Sequence, residues 1–157
     1  NTEKWARVLT RWLIPCFLSI YLVSGLDFRR HWSAEFSSAL HYGAVILFLL
    51  GCVLELWAMY ANRFFSTDVR LQFDRGHAVC SHGPYKYVRH PGYAGMILYY
   101  GITPIFLGSF WALIPVSLVV ALFVIRSWFE DRTLKDKLSG YKEYAHRVRY
   151  RLIPGIW

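Results

Sequence analysis

The sequence predicts an all-α integral membrane protein, and three observations carry that prediction. Of 157 residues, 55% are hydrophobic and 18% aromatic, and the mean hydropathy is +0.28. Four apolar blocks lie near the roughly 20 residues that a helix needs to cross a bilayer, and together they leave too little polar surface to be covered in water. The net charge of +8, from 18 Lys and Arg against 10 Asp and Glu, is confined to the segments between and after those blocks. A nucleic-acid-binding domain would instead spread its positive charge over one folded face, so no nucleic-acid partner is expected.

Residues 8–26 form the first expected span, although Arg11 and Pro15 weaken its start. Residues 39–61, ALHYGAVILFLLGCVLELWAMYA, form the second. Residues 92–107 are short, contain Pro104, and meet residues 110–129 across Gly108 and Ser109, which predicts a tight helical hairpin. Lys4, Arg7 and Arg11 lie before or at the start of the first span; Arg63, Arg70, Arg75, Lys86 and Arg89 separate the second from the third; eight more basic residues run from Arg126 onward, while Arg29 and Arg30 between the first two spans are balanced by Asp27 and Glu35. The positive-inside rule then places both termini and the middle loop in the cytoplasm, whether the membrane is a cell inner membrane or the endoplasmic reticulum.

In the middle loop VRLQF alternates, DRG signals a turn and HAVCS returns, a pattern that predicts a short β-hairpin. From Asp131 to Arg147, Leu134, Leu138, Tyr141 and Tyr144 recur at helical spacing and predict an amphipathic helix on the membrane surface, broken near Gly140. Residues 1–157 read as a single membrane domain. Asn1 is not an initiator residue, so further residues upstream are expected.

Two polar islands interrupt the apolar blocks. In GPYKYVRHPGYAG, residues 83–95, Pro91 suits the first turn of a helix, where no backbone donor is needed, and His90 becomes its cap. The free N–H groups of that turn attract an anion, and Gly92 and Gly95 leave room for a ligand. Gly83 and Pro84 set a turn that aims Tyr85 and Tyr87 at the same place. A loop that only starts a helix neatly has the same signature.

In RSWFED, residues 126–131, Arg126 and Glu130 share a helix face. The hairpin brings them level with His90 and Tyr93, and convergent polar groups at an apolar wall mark a binding site. A snorkelling Arg beside a solvated acidic turn is the plainer alternative. Glu55, ionisable in mid-span, is a lesser candidate, since a protonated Glu bonded within the bundle explains it equally well. Cys16, Cys52 and Cys80 suggest no disulfide framework. His77, Cys80, His82 and His90 match no tetrahedral ligand spacing, so no metal site is expected.

Taken in order, GPYKYVRHPGYAG, the apolar hairpin and RSWFEDRTLKDKLSGYKEYAHRVRYRLIPGIW resemble the isoprenylcysteine carboxyl methyltransferase family and its relatives among phospholipid methyltransferases. The resemblance covers residues 66–157, with Asp131 standing where the family often has Glu; the first two spans match only in character. It implies an integral membrane enzyme that binds S-adenosylmethionine in a cytoplasmic pocket within residues 66–157. By motif position, Tyr85, Arg89, His90, Pro91, Tyr93 and Glu130 become cofactor contacts and Arg126 borders cofactor and acceptor. Arg126 and Glu130 form the implied catalytic pair, with Arg126 facing the acceptor; Glu55, on its mid-span position and not on the resemblance, is a further candidate acceptor contact.

The implied reaction is methyl transfer to a lipophilic acceptor that enters from the bilayer, a prenylcysteine-type carboxylate. Phospholipid amine or thiol methylation, an NADPH-dependent membrane sterol-type reductase and a non-enzymatic protein that binds membrane lipids are the alternatives. The G-x-G-x-G signature of soluble methyltransferases is absent from the sequence, so the cofactor would need a different pocket.

Overall fold

A computed structural model describes residues 3–66 and 76–157. The described residues contain five α-helices and no strand: α1 (Lys4–Arg30), α2 (Ser38–Ala61), α3 (Pro91–Phe106), α4 (Leu113–Lys137) and α5 (Tyr141–Arg147). The expected β-hairpin is not seen at residues 77–81, and its first half, VRLQF, lies outside the described residues.

Three helices, α1, α2 and α4, are long and apolar enough to cross a membrane. They make the chain an integral membrane protein. At 16 residues, α3 is about 24 Å long at ~1.5 Å per residue, short of a bilayer core of roughly 30 Å. It is instead flanked by α2 and α4, with Thr103 and Pro104 buried. The turn between α3 and α4 is longer than Gly108–Ser109, because residues 107–112 form turns before α4 begins at Leu113.

Pro15 sits inside α1 without ending it. Helix α1 buries a stripe of Ala6, Leu13, Ile20 and Asp27, seven residues apart each time, and packs along α4. Helices α2 and α3 approach more closely. A Cβ on Gly95 would lie 2.6 Å from the Gly51 carbonyl oxygen and 2.8 Å from the Glu55 nitrogen, so this crossing requires glycine. The extensive contacts, α2 with α3, α3 with α4 and α4 with α1, leave α1 and α2 at the two edges.

At one end of the bundle, Asp27 is 2% exposed and clamps α1 to the turn before α4. It accepts from Ser33 N (2.7 Å), Ser33 Oγ (2.6 Å) and Ser109 Oγ. The opposite end gathers Glu3, the loop before α3 and the whole C-terminal region, so both ends of the described chain and the middle loop are together. Lys137 Nζ, for example, is 2.7 Å from Glu3 Oε1.

The expected surface helix divides in two. Residues before Gly140 continue α4 to Lys137, and Gly140, at φ 79°, turns the chain into α5. Leu138, Tyr141, Tyr144 and Ala145 are buried together against Val79, Leu134 and Val148. The apolar face of α5 therefore covers protein.

Candidate active site

Pro91 occupies the first turn of α3 with His90 as its N-cap, in agreement with the sequence. The preceding loop is pinned by backbone: Arg89 N donates to Tyr150 O and His90 N to Arg151 O, each at 2.9 Å. Gly83–Lys86 form a 3-10 turn that buries Tyr85, whose carbonyl accepts from Tyr144 Oη at 2.8 Å. Tyr87, by contrast, is 64% exposed.

The centre of the site is a bridge between α3 and α4. Arg126 Nε donates to Tyr93 Oη at 2.9 Å, and Tyr93 Oη donates to Glu130 Oε2 at 2.6 Å. Arg126 Nη1 also donates to Thr10 Oγ1 of α1 at 2.7 Å. A buried guanidinium is thus held from two helices, with its carboxylate one turn further along α4.

Beside the bridge lies a second network, around Asp131, which is 1% exposed. Lys135 Nζ is 2.8 Å from its Oδ2, Arg151 Nε donates to Oδ2 at 3.2 Å and Tyr141 Oη donates to Oδ1 at 3.1 Å. Arg89 Nε approaches Oδ1 at 3.1 Å and His90 Nε2 at 3.8 Å, the latter too far for a hydrogen bond. Asp131 gathers the loop, α4, α5 and the tail at one point, where the sequence suggested no role of its own.

A cavity of about 280 Å³ adjoins both networks. Its polar end is lined by Tyr85, Arg89, His90, Tyr93, Arg126 and Glu130, and its apolar part by Leu13, Phe17, Met96, Tyr100 and Phe123. Six of the eight site residues expected from the sequence therefore meet in one wall. Pro91 shapes the helix start without lining the cavity, and Glu55, half-buried on α2, does not line it either but is bonded to Tyr99, which does.

The room expected at Gly92 and Gly95 is filled by protein. A Cβ on Gly92 would meet the Phe65 ring at 2.6 Å, and Gly95 is spent on the α2 crossing. Sequence reading also missed Thr10 and the α1 wall, although Thr10, Leu13, Ile14 and Phe17 fall on one helix face.

Burial sets the chemistry of the loop side chains. It holds the His77 imidazole below its ordinary pKa, against the opposing pull of the Glu130 carboxylate. It also raises the Tyr85, Tyr141 and Tyr144 phenols, which stay neutral; Tyr141 and Tyr144 donate through their hydroxyls, and Tyr85 Oη accepts from Asn62. Cys80 Sγ lies 3.7 Å from His82 Nδ1, while the His77 ring stacks on Phe64.

Fold and site together describe a small polytopic membrane protein with a mostly apolar cavity that carries a polar cluster. The chain belongs to the isoprenylcysteine carboxyl methyltransferase (ICMT) family, whose profile matches residues 44–136. That match takes in most of α2, which the sequence motifs left out, and stops before α5.

Among relatives, a protein-S-isoprenylcysteine O-methyltransferase A of Arabidopsis thaliana is 24% identical over 94% of this chain and 72% of its own length. A protein-S-isoprenylcysteine O-methyltransferase of Saccharomyces cerevisiae is 32% identical over 64% of this chain and 46% of its own length. A probable protein-S-isoprenylcysteine O-methyltransferase of Oryza sativa subsp. indica is 28% identical over 68% of this chain, which spans 58% of the rice protein.

Proposed function

We propose that this protein transfers a methyl group from S-adenosylmethionine to the carboxylate of a prenylcysteine-type lipophilic acceptor. The observation that carries the proposal is the Arg126–Tyr93–Glu130 bridge, set where the polar and apolar parts of one cavity meet. The relatives named above agree with that acceptor.

The residues present fit the cofactor. His90 Nε2 is buried with no hydrogen-bond partner among the described residues, and the Arg89 guanidinium lies beside it; both suit an anionic group such as the cofactor carboxylate. Tyr85, Tyr93 and Glu130 complete the polar wall, and the Glu130 carboxylate suits hydroxyl or ammonium donors. The cofactor-binding core is then residues 66–157. When bound, S-adenosylmethionine supplies an electrophilic methyl group on a sulfonium centre.

A carboxylate acceptor is already nucleophilic, so this chain has to orient it and exclude water. Arg126 does the first, because its guanidinium is fixed in direction by Tyr93 and Thr10 and attracts the carboxylate. Phe123, Tyr100 and Phe17 do the second, as a cluster of aromatic rings in contact with one another, with Phe123 also against Tyr93. Aromatic faces such as Tyr99 stabilise a nearby cation by about 0.5–2 kcal/mol. The basic residues around the cavity end orient it toward the cytoplasm by the positive-inside rule, with the acceptor arriving from the bilayer.

Calorimetric titration of the detergent-solubilised protein with S-adenosylmethionine tests the pocket. His90→Ala and Glu130→Ala are each expected to weaken affinity about tenfold, the loss of a charge-assisted hydrogen bond. Wild-type affinity in both variants would remove the basis for it.

A further inference from the structure

Resting on the proposed function, we infer that α1 selects the acceptor: Thr10 positions Arg126, and Leu13, Ile14 and Phe17 contact the acceptor's hydrocarbon chain. Helix α1 lies outside the family-matched residues 44–136, yet it supplies one wall of the cavity. The four residues stand at positions i, i+3, i+4 and i+7, a single helix face. Leu13 is buried, and the Phe17 ring stacks on Tyr100 with centroids 4.4 Å apart.

Ile14 marks where the chain enters. It lines the cavity, is 55% exposed and sits on an edge helix one turn before Leu18, itself 66% exposed, and the inferred opening toward lipid is placed at this residue. An apolar chain sliding in past Ile14 runs along Leu13 and Phe17, and its polar end is delivered toward Arg126. Thr10, one turn before Leu13 and Ile14, fixes the guanidinium that receives that end.

The occupant is therefore a hydrocarbon chain carrying an anionic head. A free soluble carboxylate needs neither the lateral opening nor the apolar face.

The test uses the full chain in lipid nanodiscs, with S-geranyl-, S-farnesyl- and S-geranylgeranyl-N-acetylcysteine as acceptors. Ile14→Trp narrows the entry and is expected to lower the kcat/KM ratio of geranylgeranyl to geranyl acceptor about tenfold. Ile14→Ala shifts that ratio upward. Leu18→Trp, exposed on α1 and not lining the cavity, leaves it unchanged.

Thr10→Val is expected to raise acceptor KM severalfold with unaltered calorimetric affinity for S-adenosylmethionine, and Thr10→Ser to restore it. Equal effects of both Ile14 variants on every acceptor length would overturn the inference while leaving methyl transfer intact. Failure of the wild-type protein to methylate any of the three would instead defeat the proposed function itself.

Discussion

Asp131→Ala is expected to destabilise the protein by about 3–5 kcal/mol and to lower its melting temperature in detergent by about 10 °C. The reason is the company the carboxylate keeps. Asp131 is 1% exposed and meets Arg89, His90, Lys135, Arg151 and Tyr141, so its removal leaves several cationic groups with uncompensated charge. Stability is only part of the effect, because Arg89 and His90 form the cavity wall and their backbone is tied to the tail that Arg151 anchors. Cofactor affinity should therefore fall with stability. Asp131→Glu keeps the charge and should recover much of both, less the strain of one extra methylene in a closed space. Thermal unfolding and calorimetry on the same preparations check the pair, and an Asp131→Ala protein that melts like the wild type would contradict the network.

Arg126→Lys is expected to lower kcat for methyl transfer about a hundredfold while changing cofactor affinity little. Lysine retains the positive charge but not the planar fork that bonds Tyr93 through Nε and Thr10 through Nη1. On the proposed function, charge alone would attract the acceptor carboxylate, and the fork would set which way it faces. Steady-state rates with labelled methyl donor, measured beside calorimetry, separate these contributions. A Lys variant with wild-type kcat would show that position 126 acts through charge only.

Much of this arrangement was legible in local sequence. Pro91 starts α3 because a proline suits a first helical turn, and Arg126 and Glu130 share a face because they are four apart. A tight hairpin was expected to bring the start of α3 level with the end of α4; the connection is longer, and Tyr93 nonetheless bonds to both α4 residues.

What escaped has a common physical cause: it depends on partners far apart in the chain. Asp131 draws together positions 89 to 151, a span no helical period encodes. Gly92 and Gly95 looked like ligand clearance, but whether an absent side chain faces a ligand or a packed helix depends on where Phe65 and Gly51 settle. Thr10 was one hydroxyl in an apolar helix, unremarkable until Arg126 arrived from α4. The β-hairpin expectation relied on alternation in a short polar stretch, and residues 77–81 instead take irregular backbone, with Val79 packed against the α5 cluster.

The protein reconstituted in nanodiscs with methyl-labelled S-adenosylmethionine and N-acetyl-S-farnesylcysteine should yield a labelled product from which alkali releases the label as methanol, the behaviour of a carboxyl methyl ester. Label held on a base-stable amine or thioether, or no transfer at all, would contradict methylation of a prenylcysteine carboxylate.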